Sequence, residues 1–102
     1  MSRHKLLIPV TEQLKSIFTQ KFEMEINEEN LFAVWGFDAP TGGYFIQIWA
    51  VDSEGYDQYA EDGLMGGGKG RIIDKLEKYG ILDYVRLNHK DHYMALCMDC
   101  QF

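Results

Sequence analysis

A long internal segment of this 102-residue sequence contains neither lysine nor arginine. Residues 22–68 carry ten acidic side chains and no basic one. The formal charge of residues 1–21 is +3 and that of residues 69–102 is +1. The formal charge of -6 is therefore concentrated in the middle of the chain. Because binding a phosphate backbone requires a surplus of lysine and arginine, this balance argues against direct binding of nucleic acid.

Cysteines and long hydrophobic runs are also scarce. The sequence has two cysteines, and its first apolar run, Leu6 to Ile8, ends at Pro9. A secretory signal needs about 7 to 15 apolar residues, and a membrane span needs roughly 20. These absences predict a reduced, cytoplasmic setting without a membrane partner.

The remaining composition is that of an ordinary globular protein, with 46% apolar and 14% aromatic residues. A chain of this length can bury one core but not two. We therefore predict a single compact domain over residues 1–102, which leaves no room for a nucleotide-binding domain beside a substrate domain.

Two amphipathic helices are predicted from apolar residues at helical spacing. The first covers residues 11–24, where the Thr11 hydroxyl can accept a hydrogen bond from an orphan backbone N–H group. The second covers about residues 70–79, and Gly80 is a natural stop.

Four strands are predicted from short aromatic and β-branched runs. Residues 31–37 and 44–51 form one hairpin, and residues 84–87 and 92–98 form a second. Residues 52–70 have no regular apolar period and are expected to be an acidic, then glycine-rich loop. The resulting αββ-loop-αββ order predicts an α+β fold, with an antiparallel sheet of about four strands and two helices on one face.

Both sides of the strand at 44–51 are largely apolar, with Ile46 and Ile48 on one side and Phe45 and Trp49 on the other. If the helices cover one face, the other exposes aromatic side chains, and such patches usually mark an interface. A homodimer through the face bearing Trp35 or Trp49 is compatible with this pattern. The alternative is that the loop 52–70 folds back over the strands.

The acidic part of the predicted loop combines carboxylates with tyrosines. Tyrosine is enriched in interface hot spots, and carboxylates around it steer a basic partner. We therefore predict a small acidic binding module that docks on a basic protein surface, as an inhibitor or antagonist of a nucleic-acid-handling complex would. The alternative is a solvated loop that keeps the protein soluble. The predicted partner-binding residues are Trp49, Asp52, Glu54, Tyr56, Asp57, Tyr59, Glu61 and Asp62.

The glycine-rich segment supports a rival function. It matches the spacing G-x-x-x-x-G-K, but Gly70 occupies the position where a P-loop needs serine or threonine to hold magnesium. A weaker phosphate- or nucleotide-binding site remains, because backbone N–H groups at a helix N-terminus attract anions. Its residues would be Gly66, Gly67, Gly68, Lys69, Gly70 and Arg71. The acidic tract folding back onto these cations is the simpler alternative.

The sequence gives weak signals for metal binding and catalysis. His89, His92, Cys97 and Cys100 have ligand types that zinc accepts, but a strand at 92–98 would separate His92 from Cys97 by about 16 Å. We therefore predict no metal and no cofactor. The three serines lie outside any recognisable nucleophile motif, so an enzymatic activity is unsupported and stays open.

Overall fold

The computed structural model describes residues 2–38, 43–65 and 70–97, which form one α+β fold. The described part of the chain contains a four-stranded antiparallel sheet and four helices, which confirms the predicted fold class. The elements are β1 (Ser2–Leu7), α1 (Glu12–Phe22), β2 (Leu31–Asp38), β3 (Gly43–Val51), β4 (Asp57–Met65), α2 (Gly70–Lys78), α3 (Leu82–Asn88) and α4 (Lys90–Cys97). This order differs from the predicted αββ-loop-αββ order, which is wrong.

Helix α1 begins as its sequence predicts. The Thr11 hydroxyl oxygen accepts a hydrogen bond from the Leu14 N–H group at 3.2 Å, which is N-cap geometry. The same hydroxyl donates to the Tyr79 carbonyl oxygen at 2.6 Å. One threonine therefore starts α1 and fixes it to the end of α2.

The sheet has the strand order β1-β2-β3-β4, with every neighbouring pair antiparallel. The predicted β2–β3 hairpin is confirmed, and it places Ala33 opposite Ile48 and Trp35 opposite Ile46. Strand β1, which was not predicted, pairs along the other side of β2.

Strand β4 corrects the predicted loop over residues 52–70. Residues 57–65 pair with β3 along its length, from Val51 opposite Asp57 to Tyr44 opposite Met65. The segment escaped prediction because it is polar and contains two adjacent acids, and such residues are depleted in strands. An edge strand tolerates them, because its backbone can pair while its side chains remain in solvent.

The predicted second hairpin is also wrong, because its residues as far as Cys97 lie in α3 and α4, while residue 98 lies outside the described residues. The His89 N–H group bonds the Val85 carbonyl oxygen at 2.8 Å, and the Tyr93 N–H group bonds the His89 carbonyl oxygen at 3.0 Å. This i to i+4 ladder runs through residues 88–91, which the sequence pattern assigned to a turn.

The core lies on one side of the sheet, which we call the inner face. Side chains from β2 and β3 on this face form one buried cluster with residues of all four helices. Its members include Ala33, Trp35, Ile46, Ile48, Ala50, Leu14, Phe18, Ile72, Leu76, Val85 and Leu96. Trp35 is fully buried in this cluster. It cannot contribute to an exposed dimer face, so that part of the homodimer prediction is wrong.

A β-bulge in the β3–β4 pairing sets which side chains of β4 face inward. Ile48 lies opposite Glu61 but the next residue, Trp49, lies opposite Tyr59, so Ala60 is the extra residue. Because of this insertion, Tyr59 faces outward and Glu61 faces inward, whereas simple alternation would place both on one side.

None of the helices in the described ranges is long and apolar enough to cross a membrane.

Candidate protein-binding surface

The outer face of the sheet, opposite the core, carries a line of three aromatic side chains that we call the aromatic row. Phe32, Trp49 and Tyr59 lie opposite one another on β2, β3 and β4. The ring centroids of Phe32 and Trp49 are 5.6 Å apart, and those of Trp49 and Tyr59 are 5.8 Å apart. All three side chains are half-buried. The row therefore presents a continuous aromatic surface across three strands.

Carboxylates border this row on β4. The register places Asp57 and Asp62 on the outer face, opposite Val51 and Gln47 respectively. The Gln47 side-chain amide donates a hydrogen bond to the Asp62 carboxylate at 2.7 Å. The outer face consequently combines aromatic contact area with negative charge at its β4 edge.

The β3–β4 turn is organised around the Asp52 carboxylate. One of its oxygens accepts hydrogen bonds from the Glu54 and Tyr56 N–H groups, each at 2.9 Å, and the other accepts one from the Gln58 side chain at 3.0 Å. The hydrogen bonds from Tyr56 and Gln58 lower the pKa of Asp52, because they favour the charged carboxylate. Asp52 thus shapes the turn, while Glu54 and Tyr56 project into solvent.

Glu61 is separated from the other predicted partner-binding residues. Its carboxylate accepts a hydrogen bond from the Tyr79 hydroxyl at 2.7 Å and forms an ion pair with Lys75 at 3.0 Å. Burial raises the pKa of Glu61, but the hydrogen bonds from Tyr79 and Lys75 outweigh it and leave this pKa below its usual value. Glu61 therefore links β4 to α2 on the inner side of the sheet.

An open groove of about 790 Å³, which we call the acidic groove, lies between the α1–β2 connection and the β3–β4 turn. Its lining residues are Glu23, Met24, Glu25, Asn27, Glu29, Asn30, Phe32, Val51, Asp52 and Ser53. Four of these ten are carboxylates, and none of the described residues that line it is basic. Phe32 belongs to both the groove and the aromatic row, so the two surfaces are continuous.

Asparagine side chains fix the shape of this groove. The Asn30 side-chain amide donates to the Val51 carbonyl oxygen at 2.9 Å, and the Val51 N–H group donates to the Asn30 carbonyl oxygen at 2.9 Å. The Asn27 N–H group donates to the Asn30 side-chain oxygen at 2.7 Å. These bonds hold the two walls of the groove together.

The structure brings most of the predicted partner-binding residues to one region. Trp49, Asp57, Tyr59 and Asp62 share the outer face, and the turn at its end holds Asp52, Glu54 and Tyr56. Sequence reasoning missed the glutamates of the groove. The one signal that could have found them was that the segment without basic residues starts at residue 22, well before the acidic tract.

The predicted anion site is described only in part, because Gly66, Gly67, Gly68 and Lys69 lie outside the described residues. Gly70 is the first residue of α2 and Arg71 is exposed. The first turn of α2 contains no acidic residue.

His92 and Cys97 lie on helix α4 rather than on a strand, so the strand spacing used against a metal site does not apply. The His89 and His92 rings are 5.8 Å apart, and burial and the neighbouring His89 lower the pKa of His92. Cys97 is exposed, and Cys100 lies outside the described residues. Among the residues that the structure describes, no three His, Cys, Asp or Glu side chains are arranged to hold a metal ion.

The chain matches no protein-family model, and comparison with curated proteins and with solved structures finds no match for it.

Proposed function

We propose that this protein is a small acidic binding module that docks on a basic surface of a partner protein. The observation that carries the proposal is the continuity of the acidic groove, the aromatic row and the acidic residues of β4 on one side of the molecule. Aromatic side chains supply contact area, and clustered carboxylates steer a positively charged partner.

A partner surface that normally binds nucleic acid has the required chemistry, because it displays lysine and arginine for phosphate contacts. A protein that covers such a surface competes with the nucleic acid. We therefore propose the role of inhibitor or antagonist for this binding module. The phosphate- or nucleotide-binding alternative stays a sequence prediction, since most of its residues lie outside the described ranges.

The test is affinity capture from the cells that produce the protein, using two variants that carry the same charge. One variant removes three acids of the proposed surface, as Glu54→Gln, Asp57→Asn and Asp62→Asn. The matched control removes three exposed acids of the helices, as Glu12→Gln, Asp74→Asn and Glu77→Gln.

We expect the wild type and the control variant to retain basic proteins that are released by salt, because screening weakens such contacts. The surface variant should lose them. Capture of the same proteins by both variants, or capture of no basic protein by the wild type, would contradict the proposal.

A further inference from the structure

We infer that the acidic groove and the aromatic row together receive an extended, arginine-containing segment of the partner. This inference rests on the proposed function and specifies the chemistry of the segment that the surface recognises. The variants that test it alter groove residues, which the capture experiment above leaves unchanged.

The groove has the size of a binding site and a mixed lining of carboxylates, amides and apolar side chains. Its volume of about 790 Å³ falls within the range of roughly 300 to 1,000 Å³ that is typical of ligand sites. Met24, Phe32 and Val51 contribute apolar surface between the carboxylates. A ligand that fits such a lining has an apolar stem and a positively charged end, which describes the side chains of arginine and lysine.

Charge complementarity sets the sign of the ligand. Glu23, Glu25 and Glu29 are exposed at the groove, and Asp52 adds a fourth carboxylate whose lowered pKa keeps it ionised. Residues 22–68 contain no lysine or arginine that could pair with these charges, and the nearest base in sequence, Lys21, lies over the Phe22 ring with its Nζ 5.4 Å from the ring centroid. A cationic partner segment supplies the missing charge.

The aromatic row favours arginine over lysine. A guanidinium group is planar, stacks on aromatic faces and forms paired hydrogen bonds with a carboxylate. Trp49 and Tyr59 provide the faces, and Asp57 and Asp62 lie on the same face of β4. An ammonium group offers neither the stacking plane nor the paired geometry.

The extent of the surface indicates a peptide segment rather than a small amine. Phe32 joins the groove to a row that crosses three neighbouring strands, and three strands span about 10 Å from first to last. An extended peptide advances about 3.3 Å per residue, so several consecutive residues can contact the row while others occupy the groove.

The experiment uses three synthetic nine-residue peptides, in which threonine alternates with arginine, with lysine or with glutamate. Amide chemical shifts of the ¹⁵N-labelled protein report where each peptide binds, and fluorescence anisotropy of labelled peptide gives the dissociation constant. We expect the arginine peptide to bind more tightly than the lysine peptide and the glutamate peptide not to bind. The chemical-shift changes caused by the arginine peptide should include the amides of Glu25, Glu29 and Phe32 and the Trp49 indole.

Two double variants with equal net charge separate contact from long-range attraction. Glu25→Gln with Glu29→Gln removes charge from the groove, whereas Glu12→Gln with Glu28→Gln removes it from exposed acids that belong neither to the groove nor to the aromatic row. We expect the first pair to weaken binding of the arginine peptide about tenfold and the second by less than about twofold.

Equal weakening by the two pairs, or no binding of the arginine peptide, would overturn the assignment. Shift changes confined to residues 57–62 would overturn it too, while leaving docking on basic surfaces intact. Capture of no basic protein by the wild type, or capture of the same basic proteins by both capture variants, would instead contradict the proposed function itself, whichever peptide the groove binds.

Discussion

The carboxylate of Glu61 connects β4, the last strand of the sheet, to α2. It accepts hydrogen bonds from Tyr79 and Lys75 at the edge of the core, where the Tyr79 side chain is almost fully buried. Burial and the hydrogen bond to Glu61 raise the pKa of Tyr79 well above its usual range. This arrangement needs a protonated tyrosine beside an ionised glutamate.

Replacing Tyr79 with phenylalanine is expected to lower the free energy of unfolding at pH 7 by about 1 to 2 kcal/mol, because one hydrogen bond to a charged group is lost while the ring remains. Urea unfolding followed by circular dichroism measures this change. Tyr56→Phe is the matched control, since Tyr56 is 65% exposed. An equal effect of both substitutions would contradict the role of the Tyr79 hydroxyl.

The stability lost in Tyr79→Phe is also expected to depend on pH. The pKa of Tyr79 is higher in the folded state than in the unfolded state, where it is 10.0. The contribution of this hydroxyl to the free energy of unfolding is therefore complete below pH 10.0 and declines as the pH rises toward the folded-state pKa. The pKa of Glu61 is lower in the folded state than its unfolded value of 4.5. The contribution of this carboxylate to the free energy of unfolding is therefore complete above pH 4.5 and declines as the pH falls. The stability difference between wild type and Tyr79→Phe should therefore be constant between about pH 6 and 9 and shrink on both sides. A difference that is flat from pH 3 to 11 would rule out this coupling.

The inward position of Glu61 also shows that the sequence alone could not predict which side chains of β4 face the core. The tract 52–62 reads as one acidic surface, and alternation groups Tyr59 with Glu61. The bulge at Ala60 reverses that grouping, so Asp62 rather than Glu61 faces outward. Nothing in the local sequence specifies a bulge, because it results from pairing with β3.

Helices and strands were predicted correctly where the local sequence signals agree with the burial of their residues. Helix α1 has a capping threonine, and Gly80, which adopts φ +75°, lies two residues after the end of α2 at Lys78. Strands β2 and β3 are rich in aromatic and β-branched residues because both contribute to the core on one side and the aromatic row on the other. These features can be recognised without knowledge of the rest of the fold.

Prediction failed for α3 because its ends lack the usual signals. Helix α3 starts after Ile81, which makes no side-chain capping bond, and it ends at His89 rather than at glycine. Its helical signals are weaker, namely the i,i+4 pair of buried residues Ile81 and Val85 and the ion pair between Asp83 and Arg86. Tyrosine, valine and leucine at 84–87 favour a strand when taken alone.

Glu23, which ends α1, gives a prediction at the scale of elements. It adopts φ 52° and ψ 39°, a left-handed conformation that costs a residue with a Cβ atom about 1 kcal/mol. After α2 the residue with a positive φ is a glycine, Gly80, but after α1 the chain keeps a carboxylate that lines the acidic groove. Glu23→Gly should therefore raise the free energy of unfolding by about 0.5 to 1 kcal/mol and weaken binding of the arginine peptide.

Thermal unfolding and peptide anisotropy on the same sample test both parts. Glu25→Gly serves as the control, because residue 25 does not have a positive φ and glycine there should only destabilise the protein. A loss of stability in Glu23→Gly would show that the left-handed conformation carries no strain.

At the scale of the whole molecule, the segment without basic residues has a cost in the absence of a partner. Residues 22–68 bring ten acids into β2, β4, the connection before β2 and the β3–β4 turn, and Glu61 is the one described acid of this segment with an ion pair. Like charges that are held close together destabilise the folded state, and dissolved salt screens this repulsion. A basic partner relieves the same repulsion and stabilises the fold by mass action.

We therefore expect the free energy of unfolding to rise when sodium chloride increases from about 20 mM to 500 mM, over which the Debye length falls from roughly 20 Å to 4 Å. Urea unfolding at several salt concentrations measures the slope. The Glu25→Gln and Glu29→Gln variant should have a smaller slope than the wild type, whereas Glu12→Gln with Glu77→Gln should change it less, because those residues lie outside the acidic segment. Potassium chloride should act like sodium chloride, since screening depends on ionic strength and not on a particular cation. Stability that falls with salt would mean that attractive ion pairs dominate the fold, and the acidic segment would then be neutralised within the chain rather than by a partner.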